Sequence, residues 1–552
     1  MTVQRFRIGK RDSRSGVSSG EPEGGAAPQS DARLGTNIVL CSDGTGNSTI
    51  KNRGTNVYKL YEAVDIEPSP GNPRQIAFYD DGVGTGSLRF VRAFGGAFGF
   101  GFARNLRDLY QSLARVYRPG DSIYLFGFSR GAYTVRGLAG LITTCGIVPG
   151  SDLSERELRR AVNAAYRVYR LGYRPDNEVN RADAIARAEA FRKQHGVYEP
   201  GNPVRIAFIG VWDTVGAVGF PDGTWPKRIL WVLSHYRVPW FKNYHLSHIV
   251  DRACHALAID DERRTFHPEL WDERVPDNSL LPKDKRVLGR DSKERDARLE
   301  QVWFPGVHSN VGGGYPKQGM SLVTLHWMIR RASTAKLRFS QLDSRMYAER
   351  QNPHDKLYDS RRGLGAYYRY RPRDIGAICR GFGIENPRIH VSAIDRVALR
   401  TEGYAPGIIP KGSVVVGDGD DMRLRKLKDR VDSTLAAGLP LDSARGLAAL
   451  RKAGYFISLI TTLGLVGWLL CYGIRTEGLA FTAAAAVSVS GLGGLAWDLL
   501  HRHPVALLLV LLVLLGSWVT TLRARRAMHD RFAEIWRKGV KELRRAPPTP
   551  AP

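Results

Sequence analysis

Three side chains with the chemistry of acyl transfer follow three apolar segments of this sequence. Ser129 follows the apolar run 123–126, Asp213 follows the mostly apolar run 205–212, and His308 follows the segment 301–307 and precedes three consecutive glycines. A serine nucleophile needs a histidine to accept its proton and a carboxylate to orient that histidine. We therefore predict Ser129 as the nucleophile, Asp213 as the acid and His308 as the general base of a triad that cleaves an ester.

The most specific local pattern surrounds Ser129, which lies in Gly-Phe-Ser-Arg-Gly. The apolar run before it predicts a buried strand, and residues 132–139 predict the start of a helix. A serine at such a strand-to-helix turn is typical of a nucleophile elbow, where a strained backbone lifts the hydroxyl clear of the sheet. Gly127 and Gly131 suit that turn because they lack Cβ atoms. The alternative is a glycine-rich turn whose serine caps the helix.

Acyl transfer also needs N–H groups that stabilise the developing oxyanion. One comes from the residue after the nucleophile, here Arg130. The apolar run 37–41 predicts a strand that ends at Asp43-Gly44-Thr45, and a loop after such a strand supplies the second donor in this class of site. We predict Arg130, Asp43, Gly44 and Thr45 as oxyanion- or substrate-binding residues, with an ordinary Asx turn as the alternative for the loop.

The positions of the acid and the histidine predict the fold. Asp213 alone is equally consistent with a turn cap, and a lone histidine is usually an ordinary polar residue. Three such residues at three strand ends, in the chain order serine, acid, histidine, are typical of α/β-hydrolases. We expect an α/β fold with a mostly parallel sheet and helices on both faces. Residues 155–195 predict helices in a lateral insertion. The aromatic stretch 223–250 predicts a lid or an acyl pocket, with core filling by a helical insertion as the alternative.

Composition excludes several functional classes. The 552 residues contain 81 lysines and arginines against 54 aspartates and glutamates, a formal net charge of +27. This charge favours anionic surfaces, but no zinc-finger spacing or aromatic-interleaved basic stripe predicts nucleic-acid binding. The five scattered cysteines predict neither a disulfide framework nor a metal site. We expect no cofactor and no metal, and the sequence indicates no particular protein partner.

Six ordered segments resemble a known family. They read DGTGN, YDDGVGTG, GDSIYLFGFSRGAYTVRGLAG, VWDTVGA, HALAIDDERRTFHPELW and VWFPGVHSNVGGGY. Together, over about residues 35–410, they are similar to the α/β-hydrolase domain shared with type VI secretion lipase effectors, the phospholipase group with Gly-Phe-Ser-Arg-Gly. The resemblance implies Ser129, Asp213 and His308 in the roles given above. Asn310 stands where that family often has aspartate.

Two uncharged apolar runs predict a membrane anchor. Residues 455–474 and 504–522 are each long enough to cross a bilayer, whereas 479–497 is rich in Ala, Gly and Ser and is ambiguous. Cations flank the pair on both outer sides but are scarce between the two runs, which places both flanks in the cytoplasm and favours two spans. We expect a multi-pass inner-membrane protein whose catalytic domain faces the cytoplasm.

The last segment is basic and amphipathic. Residues 523–545 carry nine arginines and lysines, with an apolar line that includes Phe532 and Trp536. This pattern predicts a helix on the anionic inner membrane surface, and a helix packed on the hydrolase domain is the alternative.

The predicted organisation has five parts. They are a disordered segment over 1–34, an α/β-hydrolase-like domain over 35–410, a basic linker over 411–454, a transmembrane region over 455–522 and a tail over 523–552. The predicted function is that of a membrane-anchored serine hydrolase acting on a lipid ester, most specifically a phospholipid. An esterase for a soluble ester and a non-catalytic membrane scaffold are the alternatives.

Overall fold

A nine-stranded sheet runs through the part of the molecule that precedes the apolar helices. The computed structural model describes residues 4–8, 34–44, 54–81, 98–171, 178–201, 203–216, 244–274, 297–410, 412–417, 444–478 and 489–543. The strands of the sheet are β1 (Gln4–Ile8), β2 (Thr36–Ser42), β3 (Arg74–Asp80), β4 (Ser122–Phe128), β7 (Ile206–Trp212), β8 (Ala253–Ala258), β9 (Leu299–Phe304), β10 (Arg388–His390) and β11 (Val414–Val416). Two short strands, β5 (Glu199–Pro200) and β6 (Pro203–Val204), pair separately.

The strand order confirms the expected fold class. The order is β1-β3-β2-β4-β7-β8-β9-β10-β11, and all neighbours are parallel except β1 and β3. The chain moves from β2 outward to β3 and then crosses back to β4 on the other side of β2. Such a reversal leaves a crevice at the carboxyl ends of the two central strands, where open α/β sheets bind ligands. Ser42 pairs with Gly127, so β2 and β4 end side by side.

Thirteen α-helices are present in the described residues. They are α1 (Asn56–Ala63), α2 (Phe98–Val116), α3 (Arg130–Cys145), α4 (Glu155–Leu171), α5 (Glu178–His195), α6 (His308–Gly312), α7 (Gly319–Thr334), α8 (Gln341–Arg350), α9 (Ile375–Gly381), α10 (Val391–Ala398), α11 (Arg445–Glu477), α12 (Val489–Arg502) and α13 (Pro504–Leu543). Short 3₁₀ turns occupy Arg264–Phe266, Gly363–Tyr367 and Thr401–Gly403.

Helices cover both faces of the sheet. Along β2, Ile38 and Leu40 lie in an apolar core with α2, α3 and α4, whereas Val39 and Cys41 lie in a second core with α1 and α7. All four side chains have no exposed surface. Alternate side chains of a strand point to opposite faces, so a strand buried on both faces needs an uninterrupted apolar run, as the sequence of β2 provides.

Residues 4–8 correct one expectation. The segment 1–34 was expected to be disordered, but Gln4–Ile8 forms β1, which pairs antiparallel with β3 from Gln4↔Asp80 to Ile8↔Ile76. A sheet edge offers a row of unpaired backbone groups, so a short strand can order there without a core of its own. Composition alone does not detect such pairing.

Two of the C-terminal helices are long and apolar enough to cross a membrane. The qualifying segments are Gly446–Thr476 and Pro504–Arg537, within α11 and α13, and they contain both predicted spans. The two helices pack along each other, with the Ser458 and Ser517 hydroxyls 2.7 Å apart. Between them, α12 has only 14 residues, and the rest of 479–497 lies outside the described residues.

The tail continues the second apolar helix and docks on the sheet domain. Phe532 and Trp536 of α13 are 7% and 2% exposed, and Trp536 Nε1 donates a hydrogen bond to Pro406 O at 2.9 Å. A Cβ on Gly407 would come within 2.2 Å of the Phe532 ring. The apolar line of the tail is therefore covered by protein at these positions, which is the alternative to a surface helix on lipid.

Candidate active site

Ser129 occupies a backbone conformation that few residues with a side chain adopt. It stands between the end of β4 and the start of α3, with φ 57° and ψ −120°. Its N–H donates to Trp212 O at 3.0 Å, and its carbonyl accepts from Val215 N at 3.2 Å. Such strain costs on the order of 1–3 kcal/mol and persists only where the surroundings enforce it. The Ser129 side chain makes no capping hydrogen bond to α3, so the helix-cap interpretation does not describe it.

Glycine is required where α3 approaches β2. A Cβ on Gly131 would lie 2.0 Å from Ser42 O and 2.6 Å from Asp43 O. A Cβ on Gly127 would lie 2.6 Å from Gly131 O. The two glycines of the pattern thus allow the turn at Ser129 to sit directly against the carboxyl end of the neighbouring strand.

The predicted acid and histidine are in contact. Asp213 follows β7, and its Oδ2 lies 2.6 Å from Nδ1 of His308, the first residue of α6. Its backbone has φ 40°, and its N–H donates to Ala256 O at 2.7 Å. Ala258 N donates to the second carboxylate oxygen at 3.0 Å. The fold therefore brings together two residues that are 95 positions apart.

Arg373 completes this cluster and was not among the predicted site residues. Its guanidinium binds Asp213 in a bidentate manner, with Nη1–Oδ1 at 2.7 Å and Nη2–Oδ2 at 2.8 Å, and both side chains have no exposed surface. The same guanidinium donates to the carbonyls of Ala258 and Phe266. Nothing in its local sequence marks it, because its partner lies 160 residues earlier in the chain.

The environment sets the charges of the pair. Burial alone would raise the pKa of Asp213, but the Arg373 guanidinium and the hydrogen bonds from His308 and Arg373 hold it well below its usual value. Burial lowers the pKa of His308, although contact with Asp213 partly opposes this. An ionised Asp213 accepts a hydrogen bond from the Nδ1–H of His308, which leaves Nε2 of the neutral imidazole free to accept a proton.

Aromatic rings line the histidine. Phe128, the residue before Ser129, has its ring centroid 4.5 Å from the His308 ring. Phe266 meets the imidazole edge-on at 5.0 Å. Because one wall is the neighbour of Ser129, the serine and the histidine lie at the same edge of the sheet, in an apolar setting that strengthens electrostatic interactions.

A charged loop after β8 supports the histidine loop. Asp260 accepts a hydrogen bond from Gly306 N at 2.6 Å, and Asp261 accepts one from His308 N at 3.2 Å. Asp261 also pairs with Arg263 at 2.7 Å. These carboxylates therefore hold the backbone on both sides of Val307, and Arg263 balances the charge of Asp261.

Asp43 uses its carboxylate to fix its own loop. It accepts hydrogen bonds from the Thr55 hydroxyl, from Tyr79 OH at 2.7 Å and from Gly44 N at 2.6 Å. Burial raises its pKa to about 6 despite these donors. Its own N–H donates to Asp80 O at 2.9 Å, so the N–H groups of Asp43 and Gly44 are both engaged. Thr45 lies outside the described residues, as does most of the aromatic stretch 223–250.

The side chain of Asn310 makes hydrogen bonds to backbone groups that it holds in place. Its Oδ1 accepts hydrogen bonds from Val307 N and Tyr358 N, both at 3.3 Å, and its Nδ2 donates to Lys356 O at 3.1 Å. The amide supplies both donors and acceptors, which a carboxylate does not. The residue thus ties the start of α6 to the segment around 356–358.

Metal binding has no structural counterpart in the described ranges. Among those residues, no three or more His, Cys, Asp or Glu side chains are grouped so as to hold a metal ion.

Comparison with known proteins gives one extensive match. The family described as "T6SS, Phospholipase effector Tle1-like, catalytic domain" matches residues 36–331. An uncharacterized protein of Saccharomyces cerevisiae is 28% identical over 310 residues, which cover 51% of this chain and 41% of that relative, so the match spans less than half of the yeast protein.

Two solved structures show weak overall similarity. The crystal structure of an uncharacterized protein from Pseudomonas aeruginosa has a TM-score of 0.32 at 16% identity, covering 74% of this chain and 60% of the other. The peroxisomal α/β-hydrolase Lpx1 from Saccharomyces cerevisiae has a TM-score of 0.24 at 12% identity, covering 63% of this chain and 94% of the other.

Proposed function

The chain belongs to the family of type VI secretion phospholipase effector Tle1-like catalytic domains, and from this premise we propose a membrane-anchored serine hydrolase that cleaves acyl esters of phospholipids. Family membership supports a phospholipase-type hydrolase. The proposal adds the catalytic residues, the lipid substrate and the anchoring to the membrane.

The observation that most supports the proposal is the 2.6 Å contact between Asp213 and His308, whose ring packs on Phe128, the residue before the strained turn at Ser129. In the proposed reaction, Ser129 Oγ attacks the ester carbonyl while His308 Nε2 takes the hydroxyl proton. The tetrahedral intermediate collapses, and the same proton passes from His308 to the departing alcohol. Water then attacks the acyl-serine, with His308 again accepting and returning a proton, and the fatty acid is released.

The oxyanion needs donors at the turn. Arg130 is the first residue of α3, and backbone N–H groups in the first turn of a helix have no partner within the helix. The proposed first donor is therefore Arg130 N–H. Because the N–H group of Asp43 donates to Asp80 O and that of Gly44 donates to Asp43 Oδ1, the proposal assigns the second donor to Thr45 and gives Asp43 the role of fixing that loop.

Anchoring follows from the two long apolar helices. The proposed protein is a multi-pass protein of the inner membrane, with 455–474 and 504–522 as spans and the hydrolase domain in the cytoplasm. Contact between Trp536 and Pro406 supports this arrangement, because the segment after the second span must then lie on the same side as the domain. The proposed partners are the lipids of the anionic inner leaflet, with no nucleic acid and no cofactor.

An active-site probe tests the proposal. A fluorophosphonate reagent should label the full-length protein on Ser129, and Ser129→Ala should abolish the labelling. Lipid profiling of membranes that contain the wild-type protein should then show free fatty acid and lysophospholipid, absent with Ser129→Ala. A protein that is labelled equally after the substitution, or that leaves lipids unchanged, does not have the proposed activity.

A further inference from the structure

A segment rich in arginine and tyrosine connects the candidate active site to the first apolar helix. Residues 361–371, here called the arginine–tyrosine segment, contain four arginines and three tyrosines. Part of the segment is the 3₁₀ turn Gly363–Tyr367. It lies outside the residues matched to the family, and neither the predicted triad nor the predicted oxyanion loop draws on it.

At one end, the arginine–tyrosine segment contacts α11. Tyr455 OH donates to Tyr367 O at 3.1 Å, and the hydroxyl of Tyr367 lies 3.2 Å from that of Thr462. The Arg369 guanidinium lies 6.0 Å from the centre of the Phe456 ring. Thr462 is ten residues beyond Lys452, the last charge before the apolar run, which is about 15 Å along a helix. The segment therefore follows α11 into its uncharged part.

At the other end, the arginine–tyrosine segment contacts the wall of the candidate active site. Tyr368 packs edge-on against Phe266 at 5.5 Å, and Phe266 packs against His308 at 5.0 Å. Adjacent residues, Tyr367 and Tyr368, thus contact the apolar helix and the wall of the active site. Only one ring separates the segment from the imidazole.

The segment has excess positive charge. The carboxylates nearest to it already have cationic partners on the apolar helices: Glu262 binds Arg451 at 2.7 Å, and Asp359 binds Arg525. Arg362 and Arg371 are exposed and have no ion pair among the residues that the structure describes. Exposed arginines beside tyrosines, at the level where a helix becomes apolar, are the composition of a membrane–water interface.

We infer that the arginine–tyrosine segment binds the anionic headgroup layer of the membrane that α11 and α13 cross, and that lipid substrate enters the site along this surface. The inference rests on the proposed function and adds the route and the headgroup charge. The occupant is a lipid surface because the segment adjoins the apolar helices directly, and because its two exposed arginines complement phosphate. A lipid that moves along the segment reaches His308 without leaving the interface.

Depth measurement tests the placement. Ala366 is exposed within the segment, and Cys471 is the only exposed cysteine in the chain, the other four being buried. A nitroxide at Ala366→Cys, in full-length protein carrying Cys471→Ala and held in nanodiscs of phosphatidylcholine with phosphatidylglycerol, should collide more with oxygen than with a water-soluble nickel chelate. The matched label at Ala186→Cys on α5 should show the reverse. Equal nickel accessibility at both sites overturns the inference.

Charge removal tests the lipid chemistry. With Arg362→Gln and Arg371→Gln together, the ratio of the rate on phospholipid in anionic nanodiscs to the rate on a short soluble ester should fall about tenfold or more. The control pair Arg156→Gln and Arg160→Gln removes the same charge from exposed positions on α4 and should leave the ratio unchanged. An unchanged ratio in the first pair, or an equal fall in both, contradicts the inference. Failure of the wild type to cleave either substrate instead contradicts the proposed function.

Discussion

The carboxylate of Asp213 accepts hydrogen bonds from four groups on its two oxygens: His308 Nδ1, Ala258 N and both terminal nitrogens of Arg373. A carboxylate with this set of donors remains ionised at any pH where a protein works. It also has no freedom to rotate away from the imidazole. These hydrogen bonds therefore fix both the orientation and the tautomer of His308 before substrate arrives.

Substitutions in the triad should act as a unit. Ser129→Ala, Asp213→Asn and His308→Ala should each lower kcat for ester hydrolysis by about 10³-fold or more, and a double variant should lose little beyond the worse single one. The reason is that each residue works only through the others. Initial rates on a chromogenic ester would check this, and multiplicative losses in the double variants would contradict it.

The pH profile should report His308. Because burial lowers its pKa, the acid limb of kcat/KM should lie below pH 6.5, the usual value for histidine. Asp213 has a depressed pKa, so its contribution to stability is present above about pH 4 and is lost only as the pH falls further, through its folded value. Rates between pH 4 and 8 would test the first statement, and unfolding midpoints followed from pH 8 down to about pH 2 would test the second. An acid limb above 6.5 would show that Asp213 outweighs burial.

Arg373 should control that profile. Arg373→Gln leaves the buried charge of Asp213 without its ion-pair partner, so we expect a loss of about 3–5 kcal/mol in the free energy of unfolding. The unbalanced carboxylate should also raise the pKa of His308 and shift the acid limb of kcat/KM to higher pH. Arg373→Lys keeps a charge and should fold better while retaining part of the shift. The control is Arg331→Gln, which breaks another bidentate pair, with Glu300, at a distance from the site. An acid limb that is the same in all three variants would assign Arg373 a purely structural role.

Among individual residues, the sequence predicts those that local patterns and chain order mark. Ser129, Asp213 and His308 follow recognisable strand ends, and the fold brings the last two into contact. Arg373 could not be predicted, because a contact across 160 residues leaves no periodicity or spacing to detect. The inward orientation of Asp43 was also hidden, since it depends on Thr55 and Tyr79 reaching the same point.

At the scale of elements, the contact between α3 and β2 depends on Gly131. Gly131→Ala would put a Cβ 2.0 Å from Ser42 O, a rigid backbone atom, so α3 must move and carry the Ser129 turn with it. We expect loss of most activity and a lower melting temperature. Gly381→Ala is the control, because a Cβ there meets no atom within 4 Å. A thermal scan gives the melting temperature of each variant, and a rate assay gives its activity. A fully active Gly131→Ala would show that the turn tolerates this displacement.

The docked part of α13 should stabilise the sheet domain. Trp536→Ala removes a buried ring and should cost about 3–5 kcal/mol. Trp518→Ala on the same helix is the matched control, because that ring is 59% exposed and contributes to the apolar surface instead. Chemical denaturation of the detergent-solubilised protein, followed through the hydrolase domain, would distinguish them. Equal stability of the two variants would favour the alternative in which the tail lies on lipid.

Element prediction succeeded where hydrophobic patterns were long. The runs that became β2, β4 and β7 and the two long apolar helices are continuous apolar sequences, which burial or lipid requires. The three-residue strands β10 and β11 were missed because so short a run has no distinct period. β1 was missed because its order comes from the backbone of β3 rather than from its own composition.

At the scale of the whole molecule, contact between the tail and the domain predicts topology. Reporter fusions placed before residue 450 and after residue 525 should report the same side of the membrane, because His529 Nε2 lies 2.7 Å from Gly403 O on the domain. The cations that flank the two apolar runs predict that this side is the cytoplasm. An even number of crossings must separate the two points. Reporters on opposite sides of the membrane would require a third crossing and would exclude this contact.

The position of Trp536 also has a consequence for how the protein is made. The apolar core around β10 and β11 includes the Trp536 ring, which is synthesised after both uncharged apolar runs. In the proposed two-span topology, this core stays incomplete during translation until the second span has entered the bilayer and returned the chain to the side of the ribosome. That topology would make domain folding and membrane insertion one ordered process, and an uninserted chain would keep an open hydrophobic pocket that chaperones and proteases can recognise.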